Sequence, residues 1–168
     1  MTETYNHPNY MEHAASMLKD IGHSRNHKAY AESTTLGLFE GVLENLTSLY
    51  YPCLVIVDDM ASRLTDHKSD NLLDQPYYQF AVLVKADIMD SASHRRGREK
   101  AKLIAKKVLS RMFRHQRARQ HGLTYLQRHG IAFDGIGPIA DGAYGCLVTF
   151  TLEEPAGITF NPNDWMDG

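Results

Sequence analysis

Acidic side chains are almost missing between residues 95 and 128. Twelve of the chain's 18 lysines and arginines lie there, and Glu99 is the sole acid among them. That stretch carries +11, while the other six cations and nineteen acids set the rest at −13 and the whole at −2. Cysteine is scarce as well. Cys53 and Cys146 sit far apart inside apolar runs, which excludes a disulfide-built scaffold and reads as buried free thiols in a reducing compartment. A bond between them would need their strands to be neighbours. No apolar run approaches the ~18 residues of a membrane-spanning helix, so no membrane partner is expected. The polar opening Thr2-Glu3-Thr4-Tyr5-Asn6-His7-Pro8 is no signal peptide. The cytoplasm is the default address.

Signature motifs of chemistry are lacking too. Gly135-Ile136-Gly137 runs into Pro138, without the strand–turn–helix context of a dinucleotide site. No serine stands in a nucleophile elbow, and neither cysteine has a nearby histidine base. Of nine histidines only His23 and His27 are four apart, beside the helix-breaking Gly22 and without supporting cysteine or carboxylate. Neither metal nor cofactor is expected. Asp58-Asp59 at one strand end, with Asp87 and Asp90 after another, is where a metal-dependent nuclease would hold Mg²⁺. Aspartates at such places more often start turns and cap helices.

What is present is amphipathic pattern. At 168 residues one domain is expected, burying roughly 70% of its unfolded surface. Residues 1–9 read as flexible. Met11, Ala14, Ala15, Leu18 and Ile21 predict a helix over 10–21. Leu38, Phe39, Val42, Leu43, Leu46 and Leu49 predict a second from about Thr34 to Leu49, weakened by Gly37 and Gly41. Pro52 ends it, and Cys53-Leu54-Val55-Ile56-Val57 reads as a strand covered on both faces. Residues 58–75 are polar and predict a long exposed hairpin or mobile loop. Residues 77–86 form the next strand, with Tyr78, Phe80, Val82 and Val84 on one face and Gln79, Ala81 and Lys85 on the other.

Asp87, Asp90, Ser91 and Ser93 supply turn and capping groups for a helix over residues 91–121. Its apolar stripe is Ala101, Ile104, Ala105, Val108, Leu109, Met112 and Phe113, with Gly122 as its stop and a C-terminal half projecting past the core. A strand lies within residues 124–133. Another spans 144–153, with Tyr144, Cys146, Val148, Phe150 and Leu152 alternating, and Asp141-Gly142 marks the tight turn between the two. The tail over residues 155–168 is extended and turn-rich, and a lone Trp165 in such a tail often docks on a neighbour. The class is α+β: an antiparallel (mixed) sheet of about four strands, a long helix packed on one face and N-terminal helices, in the order α-α-β-β-α-β-β.

The basic helix is the remaining feature. Twelve cations against one acid exceed what solubility needs, because surface helices intersperse signs. Self-repulsion along it calls for an anion or an acidic surface opposite. Nucleic acid fits by phosphate neutralisation, and so does the acidic part of an identical neighbour in a head-to-tail ring. Without aromatic residues interleaved among the cations, base reading is not indicated.

Over residues 30–155 this order of elements resembles the tail terminator (tail completion, head–tail joining) proteins of long-tailed bacteriophages. The match is a helix leading into Tyr51-Pro52-Cys53-Leu54-Val55-Ile56-Val57, a polar loop before Tyr78-Gln79-Phe80-Ala81-Val82-Leu83-Val84, the long helix from Ala101 to Phe113, and a closing hairpin ending in Asp141-Gly142-Ala143-Tyr144-Gly145-Cys146-Leu147-Val148-Thr149-Phe150. The resemblance implies a structural virion protein rather than an enzyme, made in the bacterial host cytoplasm. It implies a hexameric ring on the tail tube, joined to neck or connector proteins, with double-stranded DNA passing through. Candidate interface or polyanion-facing residues are Arg95, Arg96, Arg98, Lys102, Lys106, Arg111, Arg114, Arg117 and Arg119. The candidate partner-contact loop carries Asp58, Asp59, Asp66, Asp70 and Asp74. The alternative is a nucleic-acid-binding accessory protein using helix 95–119, and the third reading is the nuclease.

Overall fold

The computed structural model describes residues 3–33, 46, 48–58, 60–68, 71–140 and 142–166. Within them run α1 (His7–Met17), β1 (Tyr30–Ser33), β2 (Cys53–Val57), β3 (Ser62–Asp66), β4 (Leu72–Lys85), α2 (Ser91–Arg117), β5 (Leu126–Ile139), β6 (Ala143–Leu152) and β7 (Glu154–Pro155). The α+β class holds, but the sheet has seven strands rather than about four. Its main path is β1-β2-β4-β6-β5, with β3 and β7 both pairing β4. β1 is parallel to β2 and the other pairs are antiparallel. The helix expected from Thr34 to Leu49 falls largely outside the described residues, although Leu46 and Leu49 are buried.

β4 is the spine. Its second half pairs β2 on one side (Leu54↔Val82, Ile56↔Phe80) and β6 on the other (Val82↔Cys146, Phe80↔Val148). Period-2 alternation then puts Tyr78, Phe80, Val82 and Val84 on one face with Leu54, Ile56, Tyr144, Cys146, Val148 and Phe150, as the sequence predicts. Its first half runs beyond the main sheet, flanked by β3 (Leu72↔Asp66 to Pro76↔Ser62) and β7 (Leu73↔Pro155). β3 and the first half of β4 are thus paired antiparallel, in line with the hairpin among the two predicted alternatives. β2 is buried at all five positions. Cys53 and Cys146 are free, buried and separated by β4 on opposite faces, so they cannot meet. Burial pushes the Cys53 thiol up to about 12.

α2 packs on the Val82 face. Ala101, Ile104, Ala105, Val108, Leu109 and Met112 are buried, each larger side chain contributing ~1.5–3 kcal/mol of transfer free energy. Gly97 sets the close approach, since a Cβ there would lie 3.2 Å from a Val84 methyl. Asp90 caps the helix by accepting from the Ala92 N–H at 3.0 Å. The helix ends at Arg117, four residues short of His121, and its C-terminal half does not project. Met112 is buried, the Tyr10 hydroxyl lies 2.8 Å from His115 Nδ1, and Lys107 Nζ is 2.7 Å from Asp20. β5 extends to Ile139 rather than stopping by residue 133, because β6 offers it a partner along most of its length.

The N-terminus corrects a second expectation. Tyr5 and His7 are buried, and α1 starts at His7 rather than Tyr10, capped by the Asn6 side chain. The Tyr5 ring meets Tyr78 edge-on at 5.0 Å and Phe150 at 6.1 Å. His7 Nε2 lies 2.9 Å from the Gln79 carbonyl, which only accepts, so Nε2 donates there and Nδ1 takes the Tyr5 hydroxyl proton at 2.9 Å. Polar residues that read as a loose end are buried because each polar atom has a partner.

Burial, with the His121 ring and the Arg111 and Arg114 cations near it, lowers the His115 pKa. A histidine depressed in the folded chain favours its neutral form there. Its contribution is complete above the ordinary value near ~6.5 and is lost as pH falls through the folded value. Urea midpoints should therefore drop between about pH 7.5 and pH 5.5, and His115→Gln should flatten part of that drop. Equal slopes in both proteins would remove His115 as the cause.

Candidate interface surfaces

The predicted cations do not act as one face. Arg95 pairs with Glu99 at 3.1 Å and Arg96 with Asp90 at 3.4 Å. Arg98 lies over the Tyr144 ring at 5.4 Å and reaches the Gly137 carbonyl at 3.5 Å, and Lys102 lies over Phe133 at 5.1 Å. These two cover apolar surface with their stems. Lys106, Arg111, Arg114, Arg117 and Arg119, with Lys100, have no ion-pair partner among the described residues. Arg111 is half-buried and its Nε has no hydrogen-bond partner among the described residues.

At the start of α2 the helix, the end of β4 and the turn before β2 enclose a concavity of about 310 Å³, lined by Lys85, Arg96, Lys100, Ser93, Tyr51 and Pro52. Lys85 Nζ sits 4.9 Å from the Tyr51 ring centroid. Among the described residues no carboxylate lines it, and it forms a basic pole with the Arg96–Asp90 pair at its edge. Lys85 and Lys100 were missed in the sequence because neither stands out alone. Only the strand–helix turn brings them together.

The opposite end of β4 is acidic. A cleft of about 440 Å³ is lined by Asp58, Asp74 and Glu154 together with His7, Met60 and Tyr78. Burial first and Asp74 second raise the Glu154 pKa, and burial followed by Glu154, Asp58 and Asp74 pushes Tyr78 up to about 12. Glu154 escaped sequence reasoning, since the two-residue strand that places it opposite Asp74 has no pattern of its own. Asp66 is exposed and accepts from the Lys68 N–H at 2.8 Å. Asp59 and Asp70 lie outside the described residues.

Among the described residues no grouping of His, Cys, Asp or Glu could hold a metal ion, and no helix is long and apolar enough to cross a membrane. Asp87 accepts from the Met89 N–H and Asp90 serves the helix cap. His23 accepts from the Ala29 N–H and His27 stacks on Tyr50 at 4.4 Å, so the two do not converge. No protein-family model matches the chain, and no curated protein matches it.

Proposed function

We propose that this chain is a structural subunit that associates head to tail into a closed ring, as the bacteriophage tail terminators it resembles do. The observation carrying this reading is the polarity of β4. Asp74, in the acidic cleft, and Lys85, in the basic concavity, lie eleven residues apart on one strand, ~36 Å by strand rise. A molecule with opposite charge at its two ends satisfies both by heterologous contact. Such contacts close into rings when the rotation per subunit allows. In this reading the basic pole of one subunit faces the acidic cleft of the next, with six subunits, a tail tube below and neck or connector proteins above. The chain acts by assembly rather than catalysis, in the virion.

Native mass spectrometry with sedimentation tests it. A ring is expected at low ionic strength, weakened near ~1 M salt, where screening acts within ~3 Å. Lys100→Glu should raise the concentration for half-assembly about tenfold or more, since like charges across an interface are costly. Asp74→Lys combined with Lys100→Glu should recover part of the loss. A monomer at every concentration, with no contact burying roughly 1,000 Å², would overturn the reading.

A second reading, a nucleic-acid-binding accessory protein, is favoured by Lys100, Lys106, Arg111, Arg114, Arg117 and Arg119, six exposed or half-buried cations without an ion-pair partner among the described residues. Neutralising six phosphates predicts a log–log salt slope of about −5 for duplex binding. A gel shift at low salt by a monomeric chain would establish it over the ring, and its absence would remove it.

A further inference from the structure

A third surface involves neither pole. Between α2 and β5, the outer strand of the sheet, lies an open groove of about 340 Å³ floored by Leu109, Phe113, Ile131 and Phe133. Cations rim it: Lys106 lines it, Arg128 lies over Phe113 at 4.6 Å and Lys102 over Phe133 at 5.1 Å. It is an apolar slot with a positive edge.

The C-terminal tail has the complementary character. From Gly157 to Met166 every residue is exposed, yet the segment carries Ile158, Phe160, Trp165 and Met166. Phe160 is 71% and Trp165 61% exposed, so this apolar surface is buried nowhere in its own chain. No lysine or arginine follows Arg128, and the tail's charges are Asp164 and Asp167. Its end is also preformed. The Asn161 carboxamide accepts from the Asn163 N–H at 3.2 Å and donates to Asp164 at 3.3 Å. That short turn holds the Phe160 and Trp165 rings stacked, centroids 6.2 Å apart and 24° between planes. Ordering an aromatic pair in advance lowers the entropy lost on docking, and each such ring can bury ~150–250 Å².

We propose that the tail of one copy seats its Phe160–Trp165 pair in the α2–β5 groove of the neighbouring copy, with Asp164 beside Lys106 and Arg128. This rests on the assembly reading above and adds to it a mechanical link, an exchanged arm, independent of the charged poles. Residues 156–166 reach at most ~36 Å when extended, enough to cross a subunit boundary.

Trp165 is the only tryptophan, so the full-length chain reports its own docking. Its emission should shift to the blue, and acrylamide quenching should fall, in step with the rise in mass as concentration increases. Trp165→Ala, at an exposed position, should leave the thermal midpoint unchanged and raise the concentration for half-assembly about thirtyfold, the effect of one central anchor residue. Ser110→Arg, which fills the groove from an exposed helix position, should do the same while leaving Trp165 in water. Mixing Ser110→Cys chains with Trp165→Cys chains and oxidising should give a cross-linked pair that neither variant gives alone. A ring in which Trp165 stays quenchable and no mixed cross-link forms overturns the tail link and leaves head-to-tail assembly standing. A blue-shifted tryptophan in a concentration-independent monomer means the tail folds onto its own groove, and overturns both.

Discussion

Val82→Asp should abolish folding. Val82 is fully buried on β4, between Leu54 of β2 and Cys146 of β6, on the face that α2 covers. An aspartate there either remains charged without a partner or takes up a proton to become neutral, and either outcome costs several kcal/mol. Total stabilities of such domains are only ~5–15 kcal/mol, so the variant should lose its cooperative melt and collect in the insoluble fraction. Far-UV circular dichroism and a thermal scan decide it. A melting midpoint within a few degrees of the parent would put the Val82 side chain in water.

The second large effect is expected from Gly122→Ala. Gly122 has φ +71°, a conformation unfavourable for any Cβ, and the backbone of Thr4 and Tyr5 passes directly over it. The added methyl would fall 2.6 Å from Tyr5 Cα. Backbone cannot yield as the tip of a side chain can, so residues 3–5 would lift off. With them would go the Tyr5–Tyr78 contact and the His121 N–H to Glu3 bond of 2.7 Å. Conformational strain and lost packing together make about 2–4 kcal/mol. Urea unfolding measures the loss, and hydrogen exchange should show faster amides at residues 5–10. An unchanged midpoint would mean that the N-terminal segment does not rest on Gly122.

Strong periodicity was readable where burial is one-sided or complete. The five apolar residues of β2, the alternation along β4 and β6 and the stripe of α2 from Ala101 to Met112 all recur as the sequence predicts. β1 was not readable. Tyr-Ala-Glu-Ser is four residues long and gains strand character from its parallel partner rather than from its own composition. β5 was legible only at its start, because Gly130, Gly135, Gly137 and Pro138 break its pattern while β6 supplies the pairing. The charge imbalance was visible in the composition, but the two poles were not. Each joins residues distant in sequence, Lys85 with Lys100 and Asp74 with Glu154, and only strand register tells which distant residues share an end. The same limit hid His7, whose burial depends on a carbonyl seventy-two residues away.

Tyr5 rests against Phe150 across 145 residues of chain, and β4 cannot be covered on both edges until β6 exists. During synthesis, therefore, α1, β1, β2, β4 and α2 all leave the ribosome before the strand that locks them together. The nascent chain must hold one edge of its apolar β4 open while residues 86–152 are made and then fold in a late step, slowed by the closure of very long loops. Chaperone occupancy of the chain should end only once β6 has cleared the exit tunnel.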